Sequence, residues 1–210
     1  MKTTSAALPF RFDDLMLLYA SHDGQARRIA ARIAVCLAEQ WIAALPRDLA
    51  MGVPAAADLK TAPLIAVVSA VRYGRHLRAA ERLLAAYKES GSTAPLIFVS
   101  VSLTARKPGR SRVENNQYLR ASLQRHGVAA AFATAVAGRL DYPRYRWPDR
   151  QIIRLIMKLT GGPTNPRSCT EFTDWDAVDA IADRITELRD HCDPAVVRRA
   201  DAFENRIQAD

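Results

Sequence analysis

Four short, unbroken apolar runs do most to limit the fold of this chain: Leu15–Tyr19 (LMLLY), Pro63–Ala70 (PLIAVVSA), Pro95–Ser102 (PLIFVSVS) and Ala129–Ala137 (AAAFATAVA). A strand with one wet face alternates apolar and polar residues; a run with no such alternation belongs to a strand covered on both faces. Between the runs the apolar period changes to that of a helix. Ile29, Ile33 and Leu37 mark a helix over Arg27–Gln40, and further helices are expected over Leu77–Lys88, near Gln117–Gln124 and over Asp176–Leu188, the last capped by Thr173 or Asp174. Trp41–Leu45 is the expected site of one more short strand, weakened by Ala and Pro46. Strands alternating with helices give a parallel α/β sheet with right-handed crossovers. Five strands suit the smaller doubly wound order 2-1-3-4-5, in which a ligand sits beyond the carboxyl ends of the strands.

The 210 residues suffice for one substantial core, set here at 15–188. Residues 1–14 are read as a leader without the apolar stretch of a signal peptide, and 189–210 as a tail. No apolar run reaches the roughly 18 residues of a membrane-spanning helix. Cys36, Cys169 and Cys192 have no metal-like spacing; so sparse and odd a set points to reduced thiols in the cytoplasm, with Cys36 a small core residue. The net charge of +8 is concentrated in two places. Thr104–Arg125 carries six basic residues against Glu114 alone, and Gly138–Lys158 carries six against Asp141 and Asp149. Anionic partners fit such a surface, although a merely solvated positive face would look the same.

Three unusual loops follow strands directly and converge on one crevice. In Ser21–Ala26 (SHDGQA), Gly24 allows close backbone approach at a helix start, Ser21 and Gln25 can donate hydrogen bonds, and a phosphate fits there. Asp23 is odd beside an anion and is read as orienting the backbone. The loop lacks the glycine pattern of a dinucleotide site and the Gly-Lys-Ser/Thr of a nucleotide hydrolase. A mononucleotide remains, with FMN the leading candidate for this architecture. Tyr73 then lies along the flavin ring or is a rim aromatic, and the backbone of Ser102–Arg106 faces the pyrimidine edge. His22, His76, His126 and His191 have no metal-ligand spacing, and Ser21 has no base, so any chemistry falls to a cofactor.

Within 138–162, Arg139, Arg144 and Arg146 are candidates for carboxylate or lipid-phosphate contact, with Tyr142, Tyr145 and Trp147 as an apolar wall. Over Arg150–Leu159 the polar positions Arg150, Gln151, Arg154 and Lys158 share one helical face, and Ile152, Ile153, Leu155, Ile156, Met157 and Leu159 cover the rest. Such a helix lies on an acidic membrane surface or packs against its own domain.

SHDGQ (21–25), AVRYGRH (70–76), SVSLTARKP (100–108) and the late block YPRYRW…IIRLIMKLTGG…FTDWDAV together resemble one family. It is the quinone-dependent protoporphyrinogen oxidases of bacteria, flavodoxin-like FMN proteins of haem biosynthesis. The resemblance implies oxidation of protoporphyrinogen IX to protoporphyrin IX in three two-electron turnovers, the flavin N5 accepting hydride with no side-chain catalyst. Electrons pass to menaquinone or ubiquinone, with the protein peripheral on the cytoplasmic face of the inner membrane. It places the cofactor on Ser21, His22, Asp23, Gly24, Gln25 and Ala26, with Val71, Arg72, Tyr73 and Gly74 and Ser102, Leu103, Thr104 and Ala105 flanking the ring. The chain departs from the family at His22, where Arg is frequent, and at Ala26, where Thr is usual. The competing expectation is a flavodoxin-like electron carrier with no substrate of its own; a nucleic-acid role lacks any recognition element.

Overall fold

Leucines and valines on adjacent strands divide between two cores, and this division fixes the architecture. The computed structural model describes residues 15–145 and 147–192. Strands β1 (Met16–Ala20), β2 (Arg47–Asp48), β3 (Ile65–Arg72), β4 (Arg75–His76), β5 (Leu96–Val101) and β6 (Phe132–Val136) form the main sheet, with parallel order β2-β1-β3-β5-β6. This is the expected doubly wound order, plus β4, which returns antiparallel against the end of β3.

Leu17, Ala66, Val68, Ile97 and Val99 point to one face, against α1 (Gln25–Glu39) and α6 (Trp175–Cys192). Their chain neighbours Leu18, Ile65, Val67, Leu96 and Phe98 point to the other, against α2 (Ala56–Thr61), α3 (Arg78–Ser90) and α4 (Gln117–His126). Alternate side chains thus reach opposite cores, as the pleat requires, and unbroken apolar strands are what both faces need.

The second strand differs from expectation. Trp41–Leu45 carries no strand, and β2 lies at Arg47–Asp48, after Pro46, with Leu18 beside Arg47 and Tyr19 beside Asp48. Proline cannot donate to a ladder, so pairing starts only once the chain has passed it. Helix α6 runs to Cys192, four residues into the expected tail, and Asp174 caps it by accepting from the Ala177 N–H at 3.1 Å. Cys36 is buried as expected. The leader, Arg146 and the rest of the tail lie outside the described residues.

A second, two-stranded antiparallel sheet pairs β7 (Arg139–Asp141) with β8 (Cys169–Glu171), and α5 (Trp147–Thr160) connects them through turns. Its small core of Leu140, Tyr142, Tyr145 and Met157 packs Leu103 from the loop after β5. No helix among the described residues is long and apolar enough to cross a membrane.

His76 pins β4 to the sheet. Its Nε2 lies 2.9 Å from Ser100 Oγ and its ring tilts against Phe98 at 4.8 Å. Burial, against a small opposing pull from Glu81, lowers its pKa from the ordinary 6.5 to about 4. Unfolded chain binds a proton in that window and folded chain refuses it, so stability is complete above pH ~6.5 and is lost as pH falls towards ~4. The loss should reach the order of 3 kcal/mol. Glu81 is half-buried, which would raise its pKa, but its bonds from His126, Arg125 and Ser122 prevail and hold it below 4.5, so its contribution is present above pH 4.5 and lost as pH falls below that. Urea melts between pH 7 and 4.5 check this; a pH slope in His76→Gln as steep as the wild type's would refute it.

Candidate active site

Because β1, β3 and β5 run parallel and in register, the loops after them leave the same edge of the sheet. Arg72 at the end of β3 reaches Asp23 in the loop after β1 at 4.0 Å, so two of the three expected loops meet directly. The third, Ser102–Arg106, forms a short 3-10 turn that packs Leu103 against the insertion.

Helix α1 starts without a side-chain cap. Gly24 stands at its N-cap with φ 90, a left-handed conformation that favours glycine, and a Cβ there would meet nothing within 4 Å. Backbone shape, not crowding, therefore selects this glycine. The Gly24 N–H donates to Ser21 Oγ at 3.1 Å, which leaves the Ser21 hydroxyl hydrogen free to point outward. An uncapped first turn with its positive dipole end is a fitting cradle for a phosphate. Partial burial raises the pKa of Asp23, against the opposing effect of Arg144.

Gln25 behaves differently from expectation. Its amide donates to Glu171 Oε1 at 2.6 Å and Thr173 Oγ1 at 2.8 Å, while its carbonyl accepts from Arg28 at 3.0 Å. The side chain anchors β8 and is not available to a phosphate; only its backbone N–H is. Burial would raise the Glu171 pKa, but bonds from Thr173 and Arg28 outweigh it and keep the carboxylate ionised. Ala26 is wholly buried in the α1 core. His22 is exposed, 3.9 Å from Asp23.

On the far side of the crevice, Tyr73 takes φ 51 and Gly74 φ 75 in the tight turn that joins β3 to β4. The Arg72 guanidinium lies 5.2 Å over the Tyr73 ring, and Val71 pairs with His76 in the hairpin. Ser102 Oγ is buried and makes no hydrogen bond among the described residues. An orphaned hydroxyl at the mouth of the crevice is unfavourable unless a ligand satisfies it. The uncapped helix, the left-handed glycine and the orphaned hydroxyl fit a flavin mononucleotide.

The insertion is arranged otherwise than its sequence pattern implied. Tyr142 is 0% exposed and donates to Pro163 O at 2.7 Å, and Tyr145 is also buried, so both form the insertion's own core and not an open wall. Arg139 is spent within the β7–β8 hairpin, on Asp141 at 3.1 Å and Cys169 Sγ at 2.9 Å. Arg150 donates to the carbonyls of Tyr142 at 3.1 Å and Tyr145 at 3.3 Å, and Arg154 to that of Thr164 at 3.2 Å. Both arginines thus secure loops beside α5. Trp147, 72% exposed, faces outward with Ile152, Leu155, Ile156 and Lys158. Arg144 is exposed. Sequence reasoning missed Asp149, Glu171, Thr173 and Ser100; Asp149 alone had a local signal, as an acid in the first turn of α5.

The model of the flavodoxin domain matches residues 16–167. The protoporphyrinogen IX dehydrogenase [quinone] of Escherichia coli strain K12 is 34% identical over 179 residues, 83% of this chain and 96% of that protein. The Leishmania major protein of the same name is 33% identical over 175 residues, 82% of this chain and 74% of its own length. Among solved structures, oxidised Flavodoxin 1 from Bacillus cereus aligns with TM-score 0.40 and 18% identity over 59% of this chain and 83% of that one, too slight an overlap to add to the fold described above. With an uncapped α1 on the sheet edge and relatives matched along most of both chains, the chain belongs to the flavodoxin-domain family of protoporphyrinogen IX dehydrogenases (quinone).

Proposed function

We propose that the chain oxidises protoporphyrinogen IX to protoporphyrin IX with bound FMN and passes the electrons to a membrane quinone, as a step of haem synthesis. The observation that carries this reading is the match to relatives of that name over 83% of the chain, insertion included. Bound FMN supplies the two-electron acceptor, and three turnovers with three quinones take up the six electrons. The protein's own residues do the placing. The first turn of α1 with Ser21 holds the phosphate, and the Arg72–Gly74 turn and Ser102–Ala105 flank the ring. Three residues of the exposed α5 face, Trp147, Ile152 and Leu155, set the protein on an acidic bilayer where quinone resides.

Two experiments test the parts separately. Titration of apoprotein with FMN should show tight binding that weakens about tenfold in Ser102→Ala, while the ligand-free variant melts no earlier because a buried unpaired hydroxyl has been removed. Equal FMN affinity in both proteins would remove Ser102 from the site. Anaerobic mixing of the FMN-loaded protein with protoporphyrinogen and a quinone should raise porphyrin fluorescence well above the blank. Fluorescence that grows no faster than the blank, with FMN bound, would leave a flavodoxin-like carrier as the reading.

A further inference from the structure

One carboxylate in the crevice holds two side-chain donors, Arg72 and Tyr73, for whose polar ends the proposed function gives no partner. Asp149, in the first turn of α5, accepts from Arg72 Nη2 on its Oδ2 at 2.5 Å and from the Tyr73 hydroxyl on its Oδ1. A carboxylate with a separate donor on each oxygen, one of them charged, is fixed in orientation as well as bound. The receptor is set in advance. The Arg72 guanidinium lies against the Tyr73 ring at 5.2 Å, and the turn that carries both is fixed by β4 and by His76 on Ser100. Asp149 is buried, yet Tyr73 is 68% exposed, so the receptor opens to solvent on one side.

Asp149 belongs to the insertion, whose own core has four buried apolar residues among the described residues, whereas Arg72 and Tyr73 belong to the main sheet and its β3–β4 turn. Its release does not strand a charge, because the N-terminal turn of α5 favours an acid by itself. Arg72 also lies within 4.0 Å of Asp23, so its positive charge remains drawn to the crevice when Asp149 leaves.

We propose that Arg72 and Tyr73 form the receptor for a carboxylate arm of the substrate, and that Asp149 occupies this receptor as an internal stand-in that the substrate displaces. The ligand class is a large apolar molecule with a flexible carboxylate. Under the proposed function, on which the identity of that molecule rests, it is a propionate of the macrocycle. The internal competitor lowers the apparent affinity for carboxylate ligands according to the fraction of time the receptor is filled, and leaves ligands without an acid unaffected.

The test compares protoporphyrin IX with its dimethyl ester, each titrated into the FMN-loaded full-length protein and followed by the porphyrin absorption band. Wild type should bind the diacid about tenfold more tightly than the ester, in keeping with charge-assisted pairing. Asp149→Ala should bind the diacid about tenfold more tightly than wild type, with ester affinity unchanged. Arg72→Met should bind both alike, and Tyr73→Phe should lose part of the preference. Far-ultraviolet circular dichroism checks each variant for intact helix, and Asp149→Asn serves if Asp149→Ala does not fold. An undiminished diacid preference in Arg72→Met, or no gain in diacid affinity in either Asp149 variant, overturns the receptor. The expected binding pattern without accelerated porphyrin formation would overturn the proposed reaction and keep the receptor. Turnover with an acid preference indifferent to Arg72 would do the reverse, and a wild type that binds neither porphyrin would overturn both.

Discussion

The double substitution Ile152→Glu, Leu155→Glu is expected to lower binding to acidic vesicles by about a hundredfold or more, since each side chain gives on the order of 1.5–3 kcal/mol when buried. Both residues lie on the outward face of α5 with Trp147, and the helix's inward contacts run through Asp149, Ile153 and Met157. The substitutions should therefore leave folding intact, because they touch no core. The salt dependence follows from the same geometry. Arg150 and Arg154 keep their charge while bonded to loop carbonyls, so with Lys158 they give this helix three positive charges, each worth about 1 kcal/mol when close to an acidic surface. Vesicle binding should then survive high salt better than a purely electrostatic association would, because burial of apolar surface is not screened. Co-sedimentation with vesicles at low and high salt measures both effects. If the double variant sediments as the wild type does, α5 is not the docking face.

Tyr142→Ala is expected to unfold the insertion and leave the main sheet standing. The side chain is wholly buried, its hydroxyl bonds Pro163 O at 2.7 Å, and it fills a small core with Leu140, Tyr145 and Met157, edged by Leu103, Ile153 and Phe172. Truncation of a large buried aromatic costs about 3–5 kcal/mol. A core of that size has no reserve to absorb such a loss, whereas the two cores under the sheet contain none of these residues. Hydrogen exchange should show lost protection across α5 and the β7–β8 pair, with β1, β3 and β5 unchanged. FMN binding should weaken, because β8 no longer holds the Gln25 amide, yet remain measurable, while quinone reduction falls steeply. Uniform loss of protection across the main sheet would mean that the two parts fold as a single unit.

Those two predictions rest on parts of the chain that were unequally legible. The sheet was readable because β3 and β5 are covered on both faces, so nearly every residue in them is apolar and the run itself announces the strand. β2 was not, since two residues, Arg47 and Asp48, hold no pattern and owe their conformation to the edge of β1. The three-residue strands β7 and β8 escaped for the same reason, and with them the role of Glu171. For α5 the period correctly gave a helix, but a period defines stripes without saying which stripe faces inward. Unbonded loop carbonyls drew Arg150 and Arg154 towards the protein, and no local signal reports where such carbonyls lie. Of the crevice, the left-handed Gly24 at the start of α1 was legible, whereas the Gln25 side chain was turned to Glu171 and Thr173 by contacts 146 and 148 residues away. Ser102 as an orphan and Asp149 as a partner of Arg72 depend on contacts across 77 residues or on the absence of a contact, neither of which a window of sequence contains.

The Gln25 side chain, bonded to both Glu171 and Thr173, joins the first turn of α1 to the return strand of the insertion. A single amide thus makes two distant events thermodynamically reciprocal. Whatever orders the start of α1 also steadies β8, and whatever steadies β8 must improve retention of the α1 ligand by the same factor. Cofactor exchange should accordingly slow when the protein rests on a bilayer, and a flavin-depleted protein should be a poorer membrane ligand. Under the proposed function, this link favours flavin-loaded molecules at the quinone-bearing surface.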